Sequence, residues 1–538
     1  MTQNIEELFL KHFPYEKPNP GQKEAILNVV HAFRSGKKHV VLESPTGTGK
    51  SAIALTVHRI MRELESGSFR TTITTATKNL QDQYTGEFKD MVDLRGKTNY
   101  DCPKNVGPYN SPKCRSLIVE TKCTPSQQCP YIKQRKKWTD QAVIRITNAS
   151  FQIEACAMLV MTPETRADLI VIDECHNIDE QLVSHSTLKL DIDALQSLKK
   201  VVGINALSGV VDFINDFLSV KVGSVIDANV EYGSRATKIS EHFESLMESL
   251  QLKLKTATHG KDAIAGAIEE MQQIADKLRQ FAVTHGEWIL TEYVYAHKIE
   301  LRPVYAHQVS EFGIFRKTDR FLHMSATICG YETYIKSLGI NPAECVYINV
   351  ANPIPVENRL VRSLSAIKVS GDFDRVRLAE LVDKIIARHP GQNGIVHTVS
   401  FALAEDILKY SNNKKNMLIS KDRDEIISRL KKHNSGAVIL SPSIEQGYDF
   451  PGDMSRFQII AKIPFLYLGD SHVKLNSERH PEWYARKAIL RLVQASGRSV
   501  RGVNDHASTY ILDSNFDMLM RRNRDLFPDW FIDSIVGK

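Results

Sequence analysis

The sequence predicts an α/β protein of two similar halves, with a helical insertion in the first half. Apolar β-type runs alternate with helix-like segments in both halves, at 39–42, 169–172, 394–401 and 457–465. Between residues 178 and 291 such runs are few, and 264–281 instead carries apolar side chains at helical spacing. We therefore expect two α/β units, the second beginning near Ile354, and a helical domain inserted into the first.

Composition sets only broad limits on function. The 538 residues are 42% hydrophobic and 25% charged, with a formal net charge of +6, which is typical of a globular protein and compatible with nucleic-acid binding. No apolar span approaches the roughly 18 residues of a membrane helix, and no secretion signal opens the chain, so the sequence predicts a cytoplasmic protein without membrane contact. Association with a nucleoid, or viral origin within a host cytoplasm, would fit equally. In a reducing compartment the eight cysteines predict metal ligands or buried thiols rather than disulfides.

The stretch 43–51, Glu-Ser-Pro-Thr-Gly-Thr-Gly-Lys-Ser, is predicted to be a phosphate-binding loop between a strand and a helix. Glycines let the backbone curl so that its N–H groups face a phosphate, while a lysine adds positive charge and a serine hydroxyl can bind Mg²⁺. The usual first glycine is Ser44 here, and an ordinary glycine-rich turn is the alternative. The predicted nucleotide-binding residues of the loop are Thr46, Gly47, Thr48, Gly49, Lys50 and Ser51.

Gln22 and Tyr15, which precede this loop in the sequence, are predicted to bind adenine. Gln22 lies at the start of an amphipathic helix, where its amide could hydrogen-bond the adenine edge, and Tyr15 could stack on the ring. A surface glutamine is the alternative for Gln22.

After the loop, the β-branched run 71–77 predicts a strand followed by a helix start at 78–83, whose hydroxyls and amides could hold a phosphodiester.

Four cysteines within 28 residues predict a metal centre: Cys102, Cys114, Cys123 and Cys129. They are separated by 11, 8 and 5 residues, whereas structural zinc usually uses close C-x₂₋₄-C pairs, so an iron–sulfur cluster is favoured over zinc. Unligated buried thiols are a third alternative.

The next segment, 131–138, interleaves cations with aromatic residues, which suits either a single-strand contact or a solvated helix face.

The second part of the nucleotide site is predicted at 169–176. A buried strand ends in Asp173, positioned to bind Mg²⁺, and Glu174, positioned to polarise an attacking water. Ser325 and Thr327 follow a later strand and could couple this site to a bound nucleic-acid strand. Near the end of the chain, Arg498 and Arg501 lie three residues apart after a predicted helix at 485–493, and we expect both on one helical face, reaching one triphosphate.

Together these motifs resemble the XPD/DinG-type iron–sulfur helicases of superfamily 2. The resemblance extends from about residue 13 to 516 and rests on 44–51, 75–83, the four cysteines, 173–176, 324–327, 447–450 and 494–501. It implies an α/β fold of two RecA-like motor domains, with an iron–sulfur cluster domain and a helical arch both inserted into the first. The implied boundaries are motor domain 1 at 1–95, 146–180 and 296–350, the cluster domain at 96–145, the arch at 181–295, and motor domain 2 at 351–538.

The resemblance also implies a role for each matching residue. Lys50 would neutralise the β- and γ-phosphates, Ser51 and Asp173 would hold Mg²⁺, and Glu174 would act as general base. His176 would link the ATP site to domain closure, and Gly447 and Asp449 would contact DNA and ribose. The γ-phosphate would be sensed from motor domain 2 by Gln494, Arg498 and Arg501, with Arg501 the preferred arginine finger.

The expected activity is therefore ATP-dependent 5′→3′ unwinding of DNA, in repair or replication. The implied cofactors are ATP, Mg²⁺ and a [4Fe–4S] cluster held by the four cysteines. We expect a monomer that binds single-stranded DNA and 5′-tailed or forked duplexes, with a single-stranded-DNA-binding protein as a candidate partner. Two alternatives are a DNA-stimulated translocase that remodels protein–DNA complexes without separating strands, and a zinc-stabilised binding module with a degenerate ATPase. The intact Lys50, Asp173 and Glu174 argue against the second.

Overall fold

The computed structural model describes residues 4–65, 67–109, 111–119, 122–157, 166–227, 230–292, 298–420, 423–432, 436–442 and 450–536. The strands are β1 (His39–Glu43), β2 (Thr71–Thr75), β3 (Met91–Leu94), β4 (Ile144–Asn148), β5 (Leu169–Asp173), β6 (Leu188–Asp191), β7 (Val225–Asp227), β8 (Glu287–Glu292), β9 (Lys298–Pro303), β10 (Phe321–Ser325), β11 (Cys345–Asn349), β12 (Val361–Ile367), β13 (Gly394–His397), β14 (Met417–Leu418), β15 (Val438–Ser441), β16 (Phe457–Ile460), β17 (Ser508–Asp513) and β18 (Ile535–Val536). The helices are α1 (Ile5–His12), α2 (Gln22–Arg34), α3 (Lys50–Leu64), α4 (Lys78–Glu87), α5 (Pro112–Val119), α6 (Pro125–Gln128), α7 (Pro130–Lys136), α8 (Ala149–Ala157), α9 (Ile178–Ser186), α10 (Leu195–Val202), α11 (Ser208–Leu218), α12 (Val230–Thr256), α13 (Lys261–Val283), α14 (His307–Gly313), α15 (Tyr331–Ser337), α16 (Arg375–Ile386), α17 (Phe401–Tyr410), α18 (Arg423–Lys432), α19 (Ser471–Arg479), α20 (Pro481–Ser496), α21 (Asn515–Arg522) and α22 (Asp529–Asp533).

The first sheet has seven parallel strands in the order β11-β1-β10-β5-β2-β4-β3. Its central strands are apolar on both faces, because each face packs on a separate core. Val40 and Leu42 of β1 enter the core that contains residues of α2 and α3, whereas Val41 enters the core with α9 and α14. Since all strands point the same way, the residues that follow β1, β5 and β10 meet at one edge of the sheet.

The second sheet also has seven parallel strands, in the order β14-β15-β13-β16-β17-β12-β18. Helix α20 packs against it through a core that includes Ile489, Val493 and Ile511. The predicted α/β fold with two RecA-like motor domains is thus confirmed.

The long helices α12 and α13 form the main part of the arch. The apolar stripe predicted in 264–281 is core packing, because Ile264, Ile268, Met271, Leu278 and Phe281 are all buried. Helix α13 also contacts α5 of the cysteine-rich segment. Lys97 of the same segment lies with its Nζ 3.1 Å from Oε1 of Glu269 on α13. The arch and the cysteine-rich segment therefore touch each other.

The arch contains more β-structure than the sequence predicted. A four-stranded antiparallel sheet in the order β6-β9-β8-β7 shares a core with its helices. Strands β6 and β7 were not predicted, because runs of four and three residues are too short to show a period. Strand β9, which the predicted boundary at residue 296 assigns to motor domain 1, instead pairs with β6 and β8 and buries Ile299 and Leu301 in the arch core. In the part of the chain that the structure describes, no helix is long and apolar enough to cross a membrane.

Candidate functional site

The predicted phosphate loop joins β1 to α3 and has the backbone that an anion site requires. Gly47 and Gly49 adopt positive φ values of 86° and 78°, in the region that favours glycine. A Cβ atom at Gly49 would lie 2.6 Å from Gln22 Nε2, so a larger residue would also clash. Helix α3 begins directly afterwards at Lys50, so its unpaired N–H groups face the loop.

Ser44 replaces the usual first glycine of the loop without strain. It does not have a positive φ, and its hydroxyl lies 2.5 Å from Thr48 Oγ1. Thr48 in turn donates to the carbonyl of Pro45 at 2.6 Å. A side chain at position 44 therefore braces the curl of the loop from inside.

Gln22 hydrogen-bonds the phosphate loop and the turn before its own helix. Its side-chain oxygen accepts the backbone N–H of Asn19 at 2.9 Å, and its Nε2 donates to the carbonyl of Gly49 at 3.0 Å. Asn19 Nδ2 donates to the carbonyl of Gly47 at 3.1 Å, so both amides shape the loop. Tyr15 is 45% exposed, and its hydroxyl donates to Glu87. Adenine contact by Gln22 and Tyr15 stays a prediction.

The two acidic residues of the ATPase box lie at the carboxyl end of β5, opposite the phosphate loop. Burial raises the pKa of Asp173 to about 6, with a further contribution from Glu174. Burial acts on Glu174 in the same sense, but a hydrogen bond from His176 and the charge of Lys50 outweigh it and lower its pKa. A cation at Asp173 would offset the cost of burying that carboxylate.

Glu174 has a strained backbone, with φ at 54° in the left-handed region. This conformation costs a residue with a Cβ about 1 kcal/mol or more, and it is typical of functional sites. It turns the chain sharply after β5, so that His176 follows in a single 3₁₀ turn, at Cys175–Asn177.

His176 connects three parts of the site. Its Nδ1 lies 3.2 Å from Glu174 Oε2 and 2.7 Å from Ser325 Oγ, and its Nε2 lies 2.7 Å from Gln494 Nε2. The Gln494 amide nitrogen can only donate, so Nε2 of His176 accepts and Nδ1 carries the proton. The Ser325 hydroxyl is then free to donate to the carbonyl of Thr327, at 2.9 Å. The ATPase box, the loop after β10 and motor domain 2 thus share one hydrogen-bond network.

Arg501 reaches the phosphate loop from motor domain 2. Its Nη1 donates to Thr46 Oγ1 at 3.0 Å, and its charge acts on Glu174. Burial lowers the pKa of Arg501 to about 10, which leaves the guanidinium protonated at neutral pH. Lys50 lies on the same side of the cleft as Ser51, with Nζ 3.5 Å from the carbonyl of Ser44.

The expectation that Arg498 and Arg501 share a helical face was wrong. Helix α20 extends from Pro481 to Ser496 and is longer at both ends than predicted, but both arginines follow its end. Gly497 caps the helix, since its N–H donates back to Val493 and the chain then leaves the helical path. Arg498 lies near His397, whose pKa is lowered by burial and by this cation. Gly447 and Asp449 lie outside the described residues.

Two functional contacts were not predicted. Tyr84 of α4 is buried and donates its hydroxyl to Asp173 Oδ2 at 3.0 Å, which connects the helix after β2 to the ATPase box. Asn19 holds the loop as described above. Neither carries a sequence signal, because an inward tyrosine and a loop asparagine are ordinary in any protein.

The four clustered cysteines come together in space. Cys102, Cys114, Cys123 and Cys129 line one small cavity, with Tyr100, Tyr109 and Tyr131 around them, and none of the four forms a disulfide. Among the described residues, no three potential ligands are close enough to share a single metal ion. A cubane cluster separates its four thiolates more widely than one ion does, so the donor set fits such a cluster in number and chemistry.

Two family models match the chain, one in each half. The model described as type III restriction enzyme, res subunit, matches residues 16–207, and the model described as helicase C-terminal domain matches residues 383–534. Among curated proteins, none matches the chain.

Solved structures similar to the chain share its whole architecture. One is an XPD helicase, with a TM-score of 0.62 and 16% identity over 95% of this chain and 98% of that one. Another is Xpd4 of S. tokodaii, with a TM-score of 0.58 and 14% identity over 96% and 99% of the two chains. A third, an apo XPD, has a TM-score of 0.56 and 15% identity over 94% and 98%. At such identities the likeness establishes the fold.

Proposed function

We propose that this chain is an XPD/DinG-like superfamily 2 helicase that hydrolyses ATP to move 5′→3′ on single-stranded DNA and unwind duplexes. The observation that carries the proposal is the cleft between the two sheets. There the phosphate loop and ATPase box of one motor domain meet Gln494 and Arg501 of the other. A site assembled from two domains can convert ATP turnover into relative movement of those domains.

We assign residues of this cleft to each step of hydrolysis. The loop N–H groups and Lys50 stabilise the phosphates, and the ionised Glu174 orients and polarises the attacking water. Arg501 supplies positive charge for the transferring phosphoryl group from the opposite side. Ser51 and Asp173 would hold Mg²⁺, which when bound neutralises phosphate charge.

Coupling to DNA follows from two connections to the same carboxylates. Helix α4, whose exposed start at Lys78 is our proposed strand contact, reaches Asp173 through the Tyr84 hydroxyl. His176 transmits the position of Gln494 to Glu174 and to the loop after β10. Binding of a strand and closure of the domains thereby act on the same two acids. We propose single-stranded DNA, presented as 5′-tailed or forked duplex, as the partner.

We further propose that the four cysteines hold a [4Fe–4S] cluster. Support comes from their common cavity and from their position in the chain, between the α4 strand contact and β5. The cluster would cross-link the short helices α5, α6 and α7 and the loops between them. Contact of α5 with α13 and the Lys97–Glu269 ion pair would then transmit that order to the arch.

Replacing any one of Cys102, Cys114, Cys123 or Cys129 with serine is expected to remove iron and visible colour, because each thiolate is a ligand. Duplex unwinding should be lost while a substantial part of the ATPase activity stays, since the cleft between the motor domains is separate from the cluster. Iron content, absorption near 400 nm and ATP turnover are measured on the same preparations. Cys345→Ser is the matched control, and iron retained after Cys114→Ser would remove that residue from the ligand set.

The proposed function is tested by measuring ATP turnover with and without single-stranded DNA, together with strand displacement on a 5′-tailed duplex. We expect DNA to stimulate turnover and ATP to be required for displacement. Stimulated turnover without displacement would instead indicate the translocase alternative. No turnover under either condition would contradict the proposal.

A further inference from the structure

Two adjacent cationic residues of motor domain 2 are buried where this domain contacts motor domain 1. Arg486 and Lys487 of α20 are 0% and 1% exposed. Buried charges are costly unless they are paired, so the partners of these two residues indicate a specific contact between the domains.

Lys487 pairs with the segment that follows the ATPase box. Its Nζ lies 2.8 Å from Asp179 Oδ1 and 2.9 Å from Glu180 Oε1, both in the first turn of α9. The other oxygen of Asp179 accepts the indole N–H of Trp483 at 3.4 Å. Burial on its own would raise the pKa of Asp179, but Lys487 and Arg486 outweigh it and lower that pKa, so the carboxylate is ionised.

Arg486 holds a second part of the ATP site. Its Nη2 and Nε donate to the carbonyls of Ile328 and Cys329 at 2.9 and 2.8 Å. Cys329 has a φ of 54°, so the chain turns sharply at this contact. On its other side the same loop hydrogen-bonds Glu43, the last residue of β1 before the phosphate loop.

Helix α20 is therefore attached to motor domain 1 at two points on one face. Residues 487 and 494 are two helical turns apart, which places them on the same side of the helix and about 10 Å apart along its axis. Lys487 contacts Asp179, and Gln494 contacts His176, three residues earlier in the chain. These two contacts, together with those of Arg486, fix the direction of the helix and with it the position of Arg501 beyond the helix end.

We infer that Lys487 is a positioning residue for ATP hydrolysis: its ion pair with Asp179 holds α20 so that Gln494 and Arg501 meet the phosphate loop. The inference rests on the proposed ATPase function. Lys487 does not contact the phosphate loop, so nucleotide binding by motor domain 1 does not depend on it. Its loss should lower kcat and leave the KM for ATP nearly unchanged.

Steady-state ATP turnover of the full chain, with saturating single-stranded DNA, tests this inference. We expect Lys487→Met to lower kcat at least about tenfold with KM changed less than about twofold, and Lys487→Arg, which can still pair with Asp179, to keep most of the activity. Lys384→Met, an exposed lysine on α16, should behave as wild type. If Lys487→Met does not fold, Lys487→Gln carries the same expectation.

The double variant Asp179→Asn/Lys487→Met distinguishes loss of helix positioning from the destabilisation that an unpaired buried Asp179 carboxylate would cause in Lys487→Met. Neither charge is left unpaired in it, so we expect it to fold stably and still turn over ATP slowly. Full kcat in the double variant, or in Lys487→Met, would overturn the inference. An equal rise in KM would also overturn it, because that indicates general disruption of the nucleotide site. Absence of turnover in the wild type would contradict the proposed function instead.

Discussion

Lys50→Ala is expected to reduce ATP turnover at least about 100-fold, the scale of losing one preorganised charge at a reacting phosphate. Lys50 is the cation at the start of α3, and its charge also lowers the pKa values of Asp173 and Glu174 in the same motor domain. Without it, the phosphates and both carboxylates would repel each other. ATP affinity should fall together with turnover.

Glu174→Gln provides the contrast for Lys50→Ala, because it should keep ATP binding and lose hydrolysis. Lys415→Ala, an exposed lysine in motor domain 2, should change neither. Turnover is measured by phosphate release and affinity with a fluorescent ATP analogue. Normal turnover in Glu174→Gln would remove the general-base assignment, and normal turnover in Lys50→Ala would remove the phosphate loop from the site.

Arg501→Ala is expected to lower kcat roughly 10³-fold, the lower part of the range for an arginine finger. Arg501 is half-buried, remains charged at neutral pH and donates to Thr46 in the phosphate loop. Because it comes from the opposite domain, ATP binding by the loop should change little. This split between kcat and affinity distinguishes it from Lys50.

Arg498→Ala should have the smaller effect, since Arg501 donates to the phosphate loop and Arg498 lies near His397. Arg521→Ala, an exposed arginine on α21, serves as the control for loss of a surface charge. Single-turnover measurements at saturating ATP isolate the chemical step. A larger loss in Arg498→Ala than in Arg501→Ala would reverse the assignment of the two residues.

The sequence predicted the parts of the site that depend on local chain chemistry. The phosphate loop and the pair Asp173–Glu174 are short segments in which residue type and backbone geometry determine one another, and both lie at strand ends as expected. The apolar stripe of α13 was also predictable from the sequence, because its helical period repeats over several turns.

Contacts between distant segments were not predictable in the same way. The hydrogen bonds of Gln22 with Asn19 and Gly49 depend on how two loops meet, which the position of a glutamine in the sequence does not show. The position of Arg501 depends on where α20 ends, and a three-residue spacing does not contain that information. Tyr84 and Lys487 look like core and surface residues until the tertiary fold supplies Asp173 and Asp179 as partners.

The most direct test of the account is unwinding of two matched duplexes that differ only in carrying a 5′ or a 3′ single-stranded tail. The account predicts ATP-dependent unwinding of the 5′-tailed duplex, lost in Lys50→Ala and in iron-free protein, and weaker DNA binding as salt rises. Preference for the 3′ tail, or full unwinding by iron-free protein, would contradict it.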